Sequence, residues 1–332
     1  MFDVRRRGAG IGETATLHDA EARTSASIAT GYGCNCFSFR ARHRGAETEL
    51  LYAEAGFPHQ DMKGTRNGIP ILAPFPNRIA GGKFAWAGKD YSLPATDGMG
   101  NAIHGFAWDS AWRIVDTSTA GNAASCTAEF VLSRDRPEKL AWWPGDFRLT
   151  LEYRLAGNTL ALAAEVENLA DNDIPFGFGT HPYFKVPLAP ESQRGDCVVQ
   201  LPADRAVELI GCIPTGRVAE PWASQDLRAG RPLSAGPLDD AYADLRPAAD
   251  GRFRSWVADP AAGLRIVQTW DGALPYAVVF TPPHGHAACV EPYTCVTNAV
   301  NMATLAGRDP GLWSLAPGER RKWRIEIAAE PL

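Results

Sequence analysis

The sequence predicts an all-β protein, a sandwich or a barrel, on three observations. Apolar and polar residues alternate with a period of two wherever a pattern can be read, and helical periodicity is hard to find. The 25 prolines and 32 glycines are scattered through the chain and do not mark a single linker. Many short strands separated by frequent turn signals are typical of this fold class.

The clearest strands form a hairpin in the middle of the chain. Residues 147–155 place apolar side chains on one face and charged or hydroxyl side chains on the other, as a half-buried strand requires. The sequence AGNT at 156–159 supplies a turn, and 160–167 resumes the alternation. The segment 216–250, rich in Ala, Pro, Gly and Asp, is predicted to be a long surface loop. Further strands are predicted at 48–53, 126–132, 197–201, 264–268, 276–280 and 323–327.

Length and composition favour a single domain over residues 1–332, because no composition break marks a boundary. The net charge of −5, with no run of more than three basic residues, gives no reason to expect nucleic acid as a partner. No apolar stretch reaches 18 residues, so no membrane span is expected. Three arginines near the start lack a following apolar region, and seven cysteines is an odd count. We therefore expect reduced thiols and a cytoplasmic protein.

Two polar residues in the first third of the chain lie in apolar, turn-rich surroundings. Arg78 follows the proline-stiffened stretch IPILAPFPN, which would hold its guanidinium in place for a hydroxyl or carboxylate group. His104 precedes Gly105 and a group of aromatic residues, a pattern that suits a pocket wall. The alternative interpretations are an arginine paired with a loop carboxylate and a structural histidine.

Two further ionisable residues follow in the second half. His181 lies in FGFGTHPYF, where glycines allow close backbone approach and aromatic neighbours would exclude water and shift the imidazole pKa. Glu291 ends an apolar run and is fixed by Pro292, and burial would raise its pKa toward the range that suits a general base. A satisfied core histidine and a glutamate bonded to backbone amides are the alternatives.

Weaker signals and missing motifs narrow the chemistry further. Asp239 is followed by Asp240, but paired acids in a loop are usually a solvated turn. His284 and His286 precede Glu291 as in some metal-binding barrels, yet the glycines expected around such ligands are absent, so no metal is predicted. The sequence contains no GxSxG, Walker, strand-linked GxGxxG or HExxH motif. Hydride transfer, ATP use and serine hydrolysis therefore have no support.

Taken together, these segments resemble the aldose 1-epimerase (galactose mutarotase-like) family. The motifs occur in the order and spacing of that family over nearly the whole chain, and the hairpin at 147–167 also lies where the family has one. The resemblance implies an all-β fold, a large antiparallel β-supersandwich with few short helices. The motifs that carry it are PFPNRI (74–79), IHGF (103–106), THPYF (180–184), LDD (238–240) and VEPYT (290–294).

The resemblance also implies an activity, the interconversion of the α and β anomers of a free aldose without metal or cofactor. The expected partner is therefore a small-molecule sugar, and the protein a monomer or homodimer. Glu291 would be the general base that takes the C1 hydroxyl proton, and His181 the general acid that protonates the ring oxygen. We expect their opposite charges to keep Glu291 ionised and His181 protonated. The implied substrate-binding residues are Arg78, His104, Asp239, Asn77 and Tyr183, and the choice between Asp239 and Asp240 stays open.

Three alternatives remain at this point. The sequence FAW at 106–108 is common in bacterial branches of the family that act on hexose 6-phosphates or sulfoquinovose, so an anionic aldose is an alternative substrate. A non-catalytic carbohydrate-binding protein would keep Arg78 and the aromatic residues without needing an acid and a base together. A glycosidase needs two carboxylates, for which Glu291 and Asp239 are the candidates. The loop arginines Arg40, Arg42, Arg44 and Arg66 form no pattern that indicates an anion clamp.

Overall fold

Short β-strands dominate the protein in a computed structural model, which describes residues 1–59 and 61–332. Their lengths run from two to twelve residues, as expected for a chain interrupted so often by proline and glycine. The strands of the first half are β1 (Phe2–Arg7), β2 (Thr14–Asp19), β3 (Thr24–Ala29), β4 (Asn35–His43), β5 (Ala46–Glu49), β6 (Ile71–Leu72), β7 (Arg78–Ile79), β8 (Lys83–Trp86), β9 (Lys89–Ser92), β10 (Ala102–Ile103), β11 (Arg113–Ser118), β12 (Ala124–Val131), β13 (Phe147–Ala156) and β14 (Thr159–Asn168). Those of the second half are β15 (Ile174–Phe176), β16 (Gly179–Thr180), β17 (Tyr183–Lys185), β18 (Val198–Gln200), β19 (Ala203–Ile210), β20 (Ile213–Ala219), β21 (Arg231–Pro232), β22 (Asp239–Leu245), β23 (Phe253–Asp259), β24 (Leu264–Trp270), β25 (Tyr276–Phe280), β26 (Ala287–Tyr293), β27 (Trp313–Leu315) and β28 (Arg320–Pro331).

Helical structure is confined to short pieces. Within the described residues, the α-helix α1 (Leu132–Asp135) is a single turn, and the other helical segments are 3₁₀ turns. No helix of the described chain is long and apolar enough to cross a bilayer. The 3₁₀ turns are Gly10–Gly12, Gly64–Arg66, Ala80–Gly82, Ala107–Asp109, Pro137–Trp142, Arg194–Asp196, Leu233–Ala235 and Ala299–Asn301.

Antiparallel pairing organises the described strands into three large sheets. Strands β1 to β5 form a meander in chain order. The longest sheet has the order β11-β12-β13-β14-β28-β24-β23-β18-β21, and the third has the order β20-β19-β22-β25-β26-β16-β6, with β17 also pairing to β26. Small two-stranded ribbons (β7 with β10, β8 with β9, β15 with β27) complete the pairing. This architecture confirms the all-β, antiparallel fold with few short helices that we predicted.

The main hydrophobic core lies between these sheets and draws buried residues from all three, for example Leu17, Leu151 and Val290. The rings of Phe178 and Trp323 pack with centroids 4.6 Å apart, which ties the chain just before β16 to β28 of the longest sheet. Burial of aromatic and aliphatic side chains on this scale is the principal stabilising term for a domain of this size.

The register of the central hairpin confirms the alternation of buried and exposed side chains that the sequence predicts. Phe147 pairs with Asn168 and Ala156 with Thr159, so the inward-facing residues of both strands enter the core together. The predicted loop at 216–250 is wrong. That segment contains the end of β20 and all of β21 and β22. The small residues of these strands alternate too weakly in hydrophobicity to indicate strands from sequence.

Candidate active site

Glu291 is placed by the alternation of β26. Ala288 and Val290 of this strand belong to the main core, so Glu291 and Tyr293 lie on the opposite face. Glu291 pairs with Val278 of β25, and its side chain is only 2% exposed. Burying a carboxyl group in the middle of a sheet costs free energy because the group loses its hydration. Buried ionisable groups of this kind cluster at functional sites, so Glu291 is a candidate for one.

His181 lies beside Glu291 because it follows β16, the strand that pairs with β26 in the sheet. Its backbone N–H donates to the carbonyl of Pro70 at 3.1 Å, and its side chain is 8% exposed. Its Nε2 lies 3.2 Å from Oε1 of Glu291. The ring of Tyr183 stacks on the imidazole at 4.7 Å with an interplanar angle of 4°, and Tyr183 donates its hydroxyl to the carbonyl of Thr65 at 2.8 Å. The two residues that we proposed as base and acid, 110 positions apart in sequence, are therefore in contact.

Burial decides where the proton of this pair rests. Desolvation raises the pKa of Glu291 well above its ordinary value, although a hydrogen bond from Tyr293 opposes the rise. Desolvation also lowers the pKa of His181 to about 3. The pair therefore holds one proton, which rests on Glu291. Both shifts favour the neutral form of each group, so burial opposes the ionised Glu291 and protonated His181 that we expected.

Arg78 is held by a buried carboxylate that sequence reasoning missed. Its Nε donates to Oδ2 of Asp97 at 2.9 Å, and the Asp97 side chain is 1% exposed. Although desolvation opposes ionisation, hydrogen bonds from Asn101, Met99 and Arg78 hold the pKa of Asp97 well below its ordinary value. The guanidinium is thus fixed, with Nη1 bonded to Oδ1 of Asn77 at 3.2 Å.

His104 is held in one tautomer by the chain segment around Asn77. Its own backbone N–H donates to the Asn77 carbonyl at 2.8 Å, and the Asn77 N–H donates to Nδ1 of His104 at 3.2 Å. Because desolvation lowers the pKa of His104 well below its ordinary value, the ring is neutral and carries its proton on Nε2. The following Gly105 has φ +68°, and a Cβ there would lie 2.1 Å from the Ala73 carbonyl oxygen, which explains the His-Gly pair.

Asp239, not Asp240, lines the same cavity. It pairs with Phe280 of β25, on the face that carries Glu291, whereas Asp240 points away and accepts a hydrogen bond from Gln225 at 2.7 Å. Desolvation raises the pKa of Asp239, and the charge of Arg78 opposes that rise.

These side chains enclose a cavity of about 220 Å³. It brings together all seven residues that the sequence analysis proposed for the site. It also contains residues to which the sequence analysis gave no role in the site, among them Arg66, which it noted only as a loop arginine without a pattern. The additional lining residues are Lys63, Thr65, Arg66, Thr96, Asp97, Ile103, Val278 and Phe280.

The histidines considered as metal ligands do not join Glu291 in this cavity. His284 and His286 stack with the ring of Tyr52, at centroid distances of 4.4 and 5.8 Å. Among residues 1–59 and 61–332, no group of three or more His, Cys, Asp or Glu side chains is arranged to hold a metal ion.

Comparisons with solved structures identify the class to which this fold belongs. A galactose mutarotase-like protein from Clostridium acetobutylicum superposes with a TM-score of 0.89 at 23% identity, covering 100% of this chain and 99% of that one. A galactose 1-epimerase from Lactobacillus acidophilus superposes with a TM-score of 0.76 at 16% identity, covering 100% and 99%. At these identities the likeness establishes a mutarotase-like fold.

The sequence supplies the family. A sequence model of aldose 1-epimerase matches residues 14–328, so the chain belongs to the aldose 1-epimerase family. It is also 30% identical to the Escherichia coli protein YphB over 123 residues, which is 37% of this chain and 38% of YphB. A second E. coli protein, YihR, is 30% identical over 138 residues, 41% of each chain. The matched regions span about two fifths of the length of these curated relatives.

Proposed function

We propose that this chain is a cofactor-independent mutarotase that interconverts the α and β anomers of a free aldose. The observation that carries the proposal is the buried Glu291–His181 contact at 3.2 Å on a cavity of about 220 Å³. That volume lies below the usual range for drug-sized ligands and suits a single sugar ring. Membership of the aldose 1-epimerase family supports the same reaction class.

The reaction needs one proton removed and one delivered. Ionised Glu291 takes the proton of the C1 hydroxyl while the C1–O5 bond breaks, its electron pair passes to O5, and protonated His181 donates a proton to O5. The product is the open-chain aldehyde. After rotation about C1–C2, Glu291 returns its proton to O1, His181 takes the proton from the O5 hydroxyl, and the ring closes as the other anomer. A positioned acid and base each contribute about 10²–10⁴-fold.

One proton on the pair is enough for the whole cycle. Ring opening starts with the proton on His181 and ends with it on Glu291, which is the arrangement that burial favours in the structure. Ring closure restores the first arrangement. Both arrangements contain the same number of protons, so the pair needs no proton from solvent during turnover. We therefore expect activity wherever the pair holds one proton.

The remaining cavity residues suit hydroxyl recognition. Arg78 and the Nε2–H of His104 donate hydrogen bonds, and Asp239 accepts them. Holding the sugar in one orientation against the acid–base pair lowers the entropic part of the barrier.

Anomer exchange measured by NMR tests the proposal directly. Wild-type protein should accelerate exchange between the anomeric signals of at least one aldose, and Glu291→Gln or His181→Asn should lose most of that acceleration while remaining folded. Glu21→Gln, an exposed glutamate on a turn outside the cavity, is the matched control. Sugar binding in calorimetry without any exchange would instead favour a carbohydrate-binding protein. Full exchange in both active-site variants would contradict the proposed roles.

A second candidate is a mutarotase of an anionic aldose, such as a hexose phosphate or a sulfonated hexose. It is favoured by Lys63 and Arg66, two exposed cations on the cavity lining. Within the described residues, neither has a carboxylate at salt-bridge distance, whereas Arg78 is neutralised by Asp97. Unpaired cations beside a sugar cavity suit a phosphate or sulfonate substituent.

The two candidates separate by substrate preference. For an anionic substrate, kcat/KM for a hexose 6-phosphate or a 6-sulfonate should exceed that for the neutral hexose, and Lys63→Ala with Arg66→Ala should remove this preference without slowing the neutral sugar. Arg7→Ala, an exposed arginine on the first sheet, is the control. Equal effects of the double variant on both sugars would refute an anion subsite.

A further inference from the structure

We propose that Tyr293 is a positioning residue of this site, whose hydroxyl stabilises the ionised form of Glu291 and so makes that carboxylate available as the base. The inference rests on the proposed mutarotase function. It assigns a role to a residue that lies outside the cavity lining and donates its hydroxyl to the base.

The geometry of β26 creates the contact. Glu291 and Tyr293 are two residues apart on one strand, so their side chains project from the same face. The Tyr293 hydroxyl donates to Oε2 of Glu291, and the other carboxyl oxygen faces His181. Tyr293 is 1% exposed, so water does not compete for this hydrogen bond. The two oxygens of the base therefore have different partners, one for proton exchange and one for stabilisation.

Glycine at position 179 makes room for the phenol ring. Gly179 of β16 pairs with Tyr293 across the sheet, and a Cβ at Gly179 would lie 2.3 Å from Cδ1 and 2.6 Å from Cε1 of that ring. Any larger residue would displace the ring from its position beneath Glu291. The second glycine of the FGFG segment thus serves Tyr293, a function that the motif alone does not indicate.

Other charged and titratable groups also act on Glu291. Asp239 from β22 raises its pKa further and Arg78 from β7 lowers it. These groups remain in a Tyr293 variant, so the hydroxyl can be tested separately. The other titratable neighbours are His181, His104 and Tyr183 in the cavity and Cys289 on the same strand.

Tyr293→Phe removes the donor and keeps the ring. Loss of a hydrogen bond to the carboxylate destabilises the ionised base, so the plateau value of kcat should fall on the order of 10- to 100-fold. Removing the last proton from the Glu291–His181 pair then becomes harder, so the basic limb of the pH–rate profile should move up by about one to two pH units. KM should change little because Tyr293 does not line the cavity.

The experiment measures anomer exchange against pH for wild type, Tyr293→Phe and the control Tyr242→Phe, whose buried hydroxyl donates to the Gln225 carbonyl away from the cavity. Replacing Tyr293 by 3-fluorotyrosine preserves the shape and strengthens the donor, so the basic limb should move to lower pH. This second variant keeps the test decisive if Tyr293→Phe folds poorly.

The outcomes separate the two proposals. An inactive wild type removes the mutarotase function and the inference with it. An active wild type whose basic limb stays in place in Tyr293→Phe and with 3-fluorotyrosine overturns the inference alone, as does a loss confined to KM. Opposite shifts in the two variants, absent in Tyr242→Phe, support it.

Discussion

Acidification should destabilise this protein through His181, and the size of the effect follows from its burial. The folded-state pKa of about 3 lies below the ordinary value of 6.5, so between these values the unfolded chain binds a proton that the native imidazole does not. The sign is therefore a loss of stability as pH falls below 6.5. Each pH unit is worth about 1.4 kcal/mol once the unfolded imidazole is fully protonated, but at pH 6.5 it is only half protonated. Acidifying from pH 6.5 to 4.5 should therefore cost about 2 kcal/mol from this residue. The side chain is 8% exposed, so solvent screening reduces the effect little.

Urea unfolding of wild type and His181→Asn at several pH values isolates this contribution. Asparagine does not titrate, so the stability difference between the two proteins should change by about 3 kcal/mol in favour of the variant between pH 7.5 and 4.5. Groups remote from His181 titrate equally in both proteins and cancel in the difference, whereas Glu291 and His104 interact with His181 and contribute to it. A difference that stays constant over this range would refute a neutral, desolvated His181.

Three further predictions concern neighbouring residues. Glu291→Gln should stabilise the fold more at pH 8 than at pH 4.5, because the native carboxyl stays protonated above the pH at which the unfolded one ionises; equal gains in urea unfolding would contradict a raised Glu291 pKa. Gly179→Ala should destabilise the protein by about 1–3 kcal/mol, since its Cβ would overlap the Tyr293 ring, and an unchanged unfolding midpoint would show that the ring moves freely. Arg78→Lys should lower kcat/KM by roughly tenfold while leaving the melting temperature within a few degrees, because an ammonium cannot reproduce the fixed donor geometry that Asp97 holds; unchanged anomer exchange would contradict a binding role.

The sequence predicts the fold best where one strand carries its own signal. The predicted bounds of the β13–β14 hairpin agree with the structure to within one residue at each end. The C-terminal strand is predicted at 323–327, and β28 extends beyond these residues on both sides, from Arg320 to Pro331. Prediction fails at β20 to β22, where Ala, Pro, Gly and Asp give little difference in hydrophobicity between the two faces of each strand. The order of the strands in a sheet cannot be predicted from local sequence patterns, since β14 pairs with β28 across some 150 residues of chain.

The site divides in the same way. Motif residues such as His181 and Glu291 can be named from sequence because proline, glycine and apolar neighbours constrain them. Asp97 cannot, because its turn signal gives no indication of an ion pair with Arg78, 19 positions away. The protonation of the central pair also escaped prediction, since it depends on how deeply the folded chain buries both groups.

The cavity wall is assembled from segments that lie between positions 63 and 291, on strands from different parts of the third sheet and the loops around it. Such non-local closure makes for slow folding, because distant parts of the chain must meet before the contacts between them form. During synthesis, a chain that does not yet include β26 contains the His181 imidazole but not its partner, the Glu291 carboxyl group. The Glu291–His181 contact would thus form late in synthesis, and if the proposed function holds, anomer exchange would report the completed fold more directly than secondary structure content does.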